Sequence, residues 1–134
     1  MKKQFSRRKF IKTAAATVSA PLILSSRTLG YGDNISANNR LTFAAIGTGN
    51  RSRGCLLPWF LGFKEIQMVA VADCWEGRRN AGRNLINRHY ENKDCATYEQ
   101  IHEVLARDDI DGVIIATGDR MHAIASIMAA KAGK

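Results

Sequence analysis

The sequence lacks most of the features that mark specialised small proteins. Its three cysteines, Cys55, Cys74 and Cys95, are scattered with no C-x-x-C pair, which excludes a disulfide framework and a cysteine-rich zinc module. Neither His89 nor His102 has a metal-ligand partner four residues on, so both read as surface or half-buried helix residues and no metal is expected. Two prolines among 134 residues exclude a collagen-like chain, and 46% hydrophobic residues exclude the disordered class. No apolar run reaches the roughly 20 residues of a membrane span. The mildest candidate, Thr13 to Leu24, is rich in Ala and Thr and is broken by Pro21. The length sets a ceiling of one domain.

Acidic residues are also scarce, 12 against 20 Lys and Arg, for a net charge of +8. Spread over a surface, that surplus would point to nucleic acid or an anionic membrane. Residues 1–37, however, hold seven of the basic side chains and one acid, Asp33, whereas residues 38–134 hold 13 basic and 11 acidic side chains. The body is close to neutral, and no nucleic-acid partner is expected.

The leader carries the charge. Lys2 and Lys3 are followed by Ser6-Arg7-Arg8-Lys9-Phe10-Ile11-Lys12 and then by the mild apolar run. A basic stretch before a short apolar one describes an export signal, and the adjacent arginines in this setting resemble a twin-arginine signal. A basic amphipathic helix and an ordinary secretory signal are the alternatives. Residues 1–37 are thus assigned to signal and linker, with the twin-arginine translocase as partner and a periplasmic or otherwise exported destination. Residues 38–134 are assigned to the folded domain.

That domain opens with Leu41 to Ile46, a short apolar run ended by Gly47-Thr48-Gly49. Ile66 to Ala72, ended by Asp73, and Gly112 to Ala116, ended by Thr117-Gly118-Asp119, repeat the pattern, with a weaker strand around Cys95-Ala96-Thr97. Apolar runs with little alternation suit strands covered on both faces of a parallel sheet. Between them Ile101, Val104 and Leu105, and then Met121, Ile124, Ala125 and Met128, keep helical spacing. Leu85, Ile86 and His89 mark the helix after Asp73. Pro58 predicts a kink or a late start in the helix expected over Ser52 to Phe63. The order points to an α/β fold, a Rossmann-type doubly wound parallel sheet.

The chemistry gathers at the strand ends. Gly47-x-Gly49 follows a strand and opens a helix, the setting that gives the dinucleotide fingerprint its meaning, although a structural turn reads the same way. Gly47 permits the tight turn. Gly49 lets a pyrophosphate approach the backbone N–H groups of Thr48, Asn50 and Arg51 at the helix start. Ser52 stands where the third glycine of G-x-G-x-x-G falls. Asp73, 26 residues after Gly47, suits the adenosine ribose hydroxyls or a helix N-cap. A carboxylate there disfavours a 2′-phosphate, so NAD is expected over NADP. Arg78 and Arg79 suit the adenine, a phosphate or a solvated helix face. The three thiols read as buried or half-buried, with Cys74 a candidate wall of the adenine pocket, and Trp59 and Phe60 read as core.

Leu41 to Gly54, Val69 to Arg79 and Ile114 to Ala123 together resemble the glucose–fructose oxidoreductase / inositol dehydrogenase (Gfo/Idh/MocA) family. Thr117 and His122 match its strand-Thr-Pro-x-x-x-His segment, with Gly118 where Pro is usual. Tyr98 to Val113 resembles the family's helix into its fourth strand. The resemblance implies a two-domain NAD(P)-dependent oxidoreductase acting by hydride transfer on sugars, polyols or their derivatives. It also implies cofactor contacts from Thr117 and His122, the latter open between a cofactor-shell role, a structural one and acid/base work.

The family's Glu-Lys-Pro lysine and its α/β substrate domain have no counterpart here. The chain is expected to end before a fifth strand, with no catalytic residue of its own, and Lys131 and Lys134 do not qualify. An NAD-dependent glycosidase working by transient oxidation and elimination is the alternative chemistry. A non-catalytic nucleotide-binding module is the alternative of another class, and a homo-oligomer stays open. Replacing both leader arginines, Arg7→Lys with Arg8→Lys, should strand the chain in the cytoplasm. Fractionation that finds the variant exported like the parent refutes the twin-arginine reading.

Overall fold

The computed structural model describes residues 35–134, so the twin-arginine segment lies outside the described residues. After a 3₁₀ turn, Ala37–Asn39, come β1 (Leu41–Ile46), a π-helical turn (Ser52–Leu56), α1 (Leu57–Leu61), β2 (Ile66–Ala72) and α2 (Glu76–Tyr90). β3 (Ala96–Tyr98), α3 (Ile101–Leu105), β4 (Gly112–Ile115) and α4 (Asp119–Lys131) complete it. The four strands form one parallel sheet in the order β3-β2-β1-β4. This is the Rossmann-like doubly wound α/β architecture that the apolar runs predict. The weak strand exists but sits one residue later, and the run after Gly112 stops at Ile115.

Successive residues of β1 point to opposite faces of the sheet, and each face has its own core. Ala45 packs with Leu57, Leu61, Met68, Val71 and Ile86, beneath α1 and α2. Ala44 packs with Ala70, Ala72, Val104 and Ile110, and Ile46 with Leu105 and Ala129, beneath α3 and α4. The central strands carry alanine on both faces, which lets helices approach closely from either side. Where β1 meets β4, the Phe43 ring lies over Gly112, and a Cβ there would come within 2.9 Å of the ring edge and push it aside.

Pro58 behaves as its chemistry dictates. The helix opens at Asn50, widens into the π-helical turn over Ser52–Leu56 and is α-helical again over Leu57–Leu61, with Pro58 just after the turn, where the looser winding accommodates a residue that has no N–H to donate.

Three expectations about packing are corrected. α1 buries Leu57 and Leu61, one turn apart, so Trp59 points outward and is 64% exposed, while Phe60 is half-buried against the core. In α4 the buried positions are Ala125 and Ala129, and Met121 and Ile124 are exposed. Cys55 and Cys74 are exposed, and only Cys95 is buried.

Tyr90 closes a gap in the sheet. β3 pairs only with Ala70, Val71 and Ala72 of β2, leaving the start of β2 without a neighbour on that side. There the Tyr90 hydroxyl accepts a hydrogen bond from the Met68 N–H at 3.1 Å and donates to the Ile66 carbonyl at 3.4 Å. Burial raises the phenol's pKa above its ordinary value, keeping it protonated. Tyr90→Phe leaves the Met68 N–H unpaired and should cost about 1–2 kcal/mol; denaturant unfolding with an unchanged midpoint would show the bond to be dispensable.

Candidate functional site

Gly47 stands where three strand ends meet. Its φ of +86° favours glycine, and a Cβ would lie 2.7 Å from the Ala116 carbonyl oxygen beyond β4. Its N–H donates to the Ala72 carbonyl of β2 at 2.8 Å. Gly49, by contrast, has nothing within 4 Å of a Cβ position, so the loop backbone is open on that side.

Asp73 is fixed by what surrounds it. The Thr48 N–H donates to its Oδ2 at 2.8 Å, and the Thr48 hydroxyl donates to the same oxygen at 3.2 Å. Oδ1 accepts the Trp75 N–H at 2.9 Å, so Asp73 braces the chain ahead of α2 while Trp75 itself occupies the N-cap position. The Asp73 N–H donates to the Tyr98 carbonyl at 3.1 Å, tying the end of β2 to β3. A carboxylate held by N–H and O–H donors in this way keeps spare acceptor capacity for a further hydroxyl.

A cavity of about 290 Å³ opens across these strand ends. Ile46, Ala72, Ala116, Ile101 and Met121 form apolar parts of its wall, and Asp73, Arg78, Gln100 and Thr117 contribute polar ones. Gln100 and Glu103 form a reciprocal capping box at the start of α3, which fixes the Gln100–Ile101 side of the cavity. Thr117 Oγ1 is buried with no hydrogen-bond partner among the described residues, a group that a polar ligand would satisfy.

Of the residues singled out from sequence, Gly47, Gly49, Asp73, Arg78 and Thr117 line this cavity. Thr48 lies behind it, fully buried. Asn50 is exposed, accepts the Arg53 guanidinium at 2.9 Å and borders an adjoining hollow. Arg51 and His122 are exposed and are not part of the cavity wall. Arg78 lies over the Trp75 ring, 4.7 Å from its centroid, whereas Arg79 is committed to the Asp73 carbonyl at 2.6 Å. Ser52, in the third-glycine position, is buried at 1% exposure with its Oγ unpaired among the described residues. Lys134 donates to the carbonyls of Arg107 and Ile110, a structural role.

Sequence reasoning missed Glu99, Gln100 and Met121, which also line the cavity. The first two follow a strand of three residues, too short to announce a strand end. No His/Cys/Asp/Glu group that could hold a metal occurs among the described residues. No helix among them is long and apolar enough to cross a membrane.

No family model and no curated protein matches the chain; solved structures do. One is a candidate NADPH-dependent oxidoreductase from Desulfitobacterium hafniense, 25% identical, with a TM-score of 0.60 over 72% of this chain and 25% of that one. A candidate myo-inositol dehydrogenase from Sinorhizobium meliloti is 28% identical, with a TM-score of 0.54 over 70% and 26%. A scyllo-inositol dehydrogenase from Lactobacillus casei, solved with NAD(H) and scyllo-inositol, is 15% identical with a TM-score of 0.60 over 71% and 26%, and shares the fold. The chain spans about a quarter of the length of these proteins. It is structurally similar to a part of Gfo/Idh/MocA-type oxidoreductases.

The thiols offer a direct probe of the cavity. Burial pushes the Cys95 thiol up to about 11, so at pH 8 only about one in a thousand is thiolate, whereas Cys74 is exposed and lines the cavity. Maleimide should label Cys55 and Cys74 and spare Cys95 in the folded chain, and NAD should slow labelling of Cys74 alone. Mass spectrometry showing equal rates at Cys74 with and without NAD would place the nucleotide elsewhere.

Proposed function

We propose that the chain is the dinucleotide-binding part of an exported Gfo/Idh/MocA-type oxidoreductase that uses NAD in preference to NADP and acts on sugars, polyols or their derivatives. The observation that carries this reading is the Asp73 carboxylate, anchored beside the left-handed Gly47 turn on the wall of a cavity that spans the ends of β1, β2 and β4. Ligands of open α/β sheets bind outside the carboxyl ends of the strands, where this cavity lies.

The parts fit the parts of a dinucleotide. The open backbone at Gly49 admits a pyrophosphate, Asp73 accepts from the adenosine ribose, and Ile101 and Met121 offer apolar surface to the adenine. Thr117 Oγ1 supplies a polar group that lacks a partner among the described residues. Bound, the nicotinamide supplies a hydride acceptor or donor. The likeness to structures named for inositol and NAD(P)H chemistry supports the substrate class. Support for export is the Ser6-Arg7-Arg8 leader, because the twin-arginine route carries folded proteins and a bound nucleotide must be loaded before export.

Calorimetric titration of the full chain should show NAD binding more tightly than NADP. Asp73→Ala should weaken NAD about tenfold and narrow the gap to NADP. Asp73→Asn removes the charge and keeps an acceptor for only one of the two backbone donors, the Thr48 or the Trp75 N–H. Unchanged NAD affinity in Asp73→Ala sinks the ribose assignment, and a chain that binds neither nucleotide sinks the reading as a whole.

A further inference from the structure

Thr48 is the one residue of the glycine turn that no ligand could touch, since it is fully buried, yet it makes two hydrogen bonds to the Asp73 carboxylate. Its side chain is fixed from both ends. On one side its methyl packs on Gly82 of α2, where a Cβ would lie 2.7 Å from Thr48 Cγ2. On the other its hydroxyl reaches Asp73 Oδ2, which also accepts the Thr48 N–H. The methyl seats against Gly82 while the hydroxyl of the same side chain bonds the carboxylate, so the hydrogen bond rather than the methyl holds Asp73.

The two carboxylate oxygens are therefore unequal. Oδ2 accepts two hydrogens from Thr48, filling its strong acceptor positions. Oδ1 accepts the Trp75 N–H alone at short range, with Cys74 Sγ at 4.0 Å. We propose that Thr48 is a positioning residue for cofactor selection: its buried hydroxyl locks the Asp73 carboxylate so that Oδ1 receives the ribose hydroxyl and the charge cannot swing aside for a 2′-phosphate. This rests on the dinucleotide reading of the cavity. A carboxylate held in place loses no orientational freedom on binding the ribose, and it keeps its repulsion of a phosphate at full strength.

Two substitutions separate this role from packing. Thr48→Val keeps the shape and the contact with Gly82 but removes the hydroxyl, whereas Thr48→Ser keeps the hydroxyl but removes the methyl. Both are made in the full chain, with melting temperature as a check on folding and NAD and NADP dissociation constants as the readout. Thr48→Val should lower the NAD-over-NADP preference about tenfold, and Thr48→Ser should hold it within about twofold of the parent. The reverse order, or no change in either variant, overturns the proposal while leaving nucleotide binding intact. If Thr48→Val does not fold, Thr48→Ser decides alone: a tenfold fall in preference with the hydroxyl present overturns it. A parent chain that binds neither nucleotide removes the underlying reading, and this one with it.

Discussion

A residue without a side chain holds the site together. Gly47 sits in the left-handed region with its Cα against the Ala116 carbonyl and its N–H on the Ala72 carbonyl. A methyl group there would collide with backbone rather than with a movable side chain, so β4 would have to shift. Because β1 lies between β2 and β4, that shift would pull apart the three strand ends that frame the cavity. The turn is thus a packing constraint before it is a binding element. The conformation that lets β1 end flush with its neighbours also leaves the next backbone segment, at Gly49, uncovered.

The arginines around the entrance show how net charge misleads when it is counted rather than placed. Arg53 donates to the Thr48 carbonyl at 2.9 Å and to Asn50, and Arg79 donates to the Asp73 carbonyl. Both guanidinium groups brace the loops that carry the site, so their charges are held close to backbone carbonyls. Arg78 lies over the exposed Trp75 ring instead and lines the cavity, which makes it the cation best placed to meet a ligand. The surplus that suggests a polyanionic partner belongs instead to residues 1–37, and the few basic groups near the cavity are mostly spent on architecture.

What could be read from the residues follows from how strongly burial constrains them. The strands were legible because a sheet covered on both faces needs continuous apolar runs, and Leu41 to Ile46 and Ile66 to Ala72 have no other use. The doubly wound order follows once those runs alternate with helical spacing. Helix faces were less legible. In α4, Ile124 and Met121 share the period of Ala125 and Ala129, and spacing alone does not say which stripe turns inward. The close approach of α4 to the sheet seats Ala125 and Ala129 with Met128 half-buried beside them, leaves Ile124 outside and puts Met121 on the cavity wall. Trp59 was misplaced for a related reason: a helix of five residues has one buried turn, and Leu57 and Leu61 take it.

The site divides along the same line. Gly47, Gly49, Asp73 and Thr117 were legible because each terminates a strand, and parallel topology brings strand ends to one edge whatever the helices do. Arg51 and His122 were read from their nearness in sequence to such an end, but a helix carries its residues away from the edge at 1.5 Å per residue and turns them through 100° each. Both accordingly end on exposed surface. Thr48 is the opposite case. Sequence presents it as the variable position between two glycines, and only the approach of Gly82 shows that its side chain points inward, to Asp73. In the proposed nucleotide site Asp73 is therefore only half of the device; the other half is the buried Thr48 hydroxyl bonded to its carboxylate.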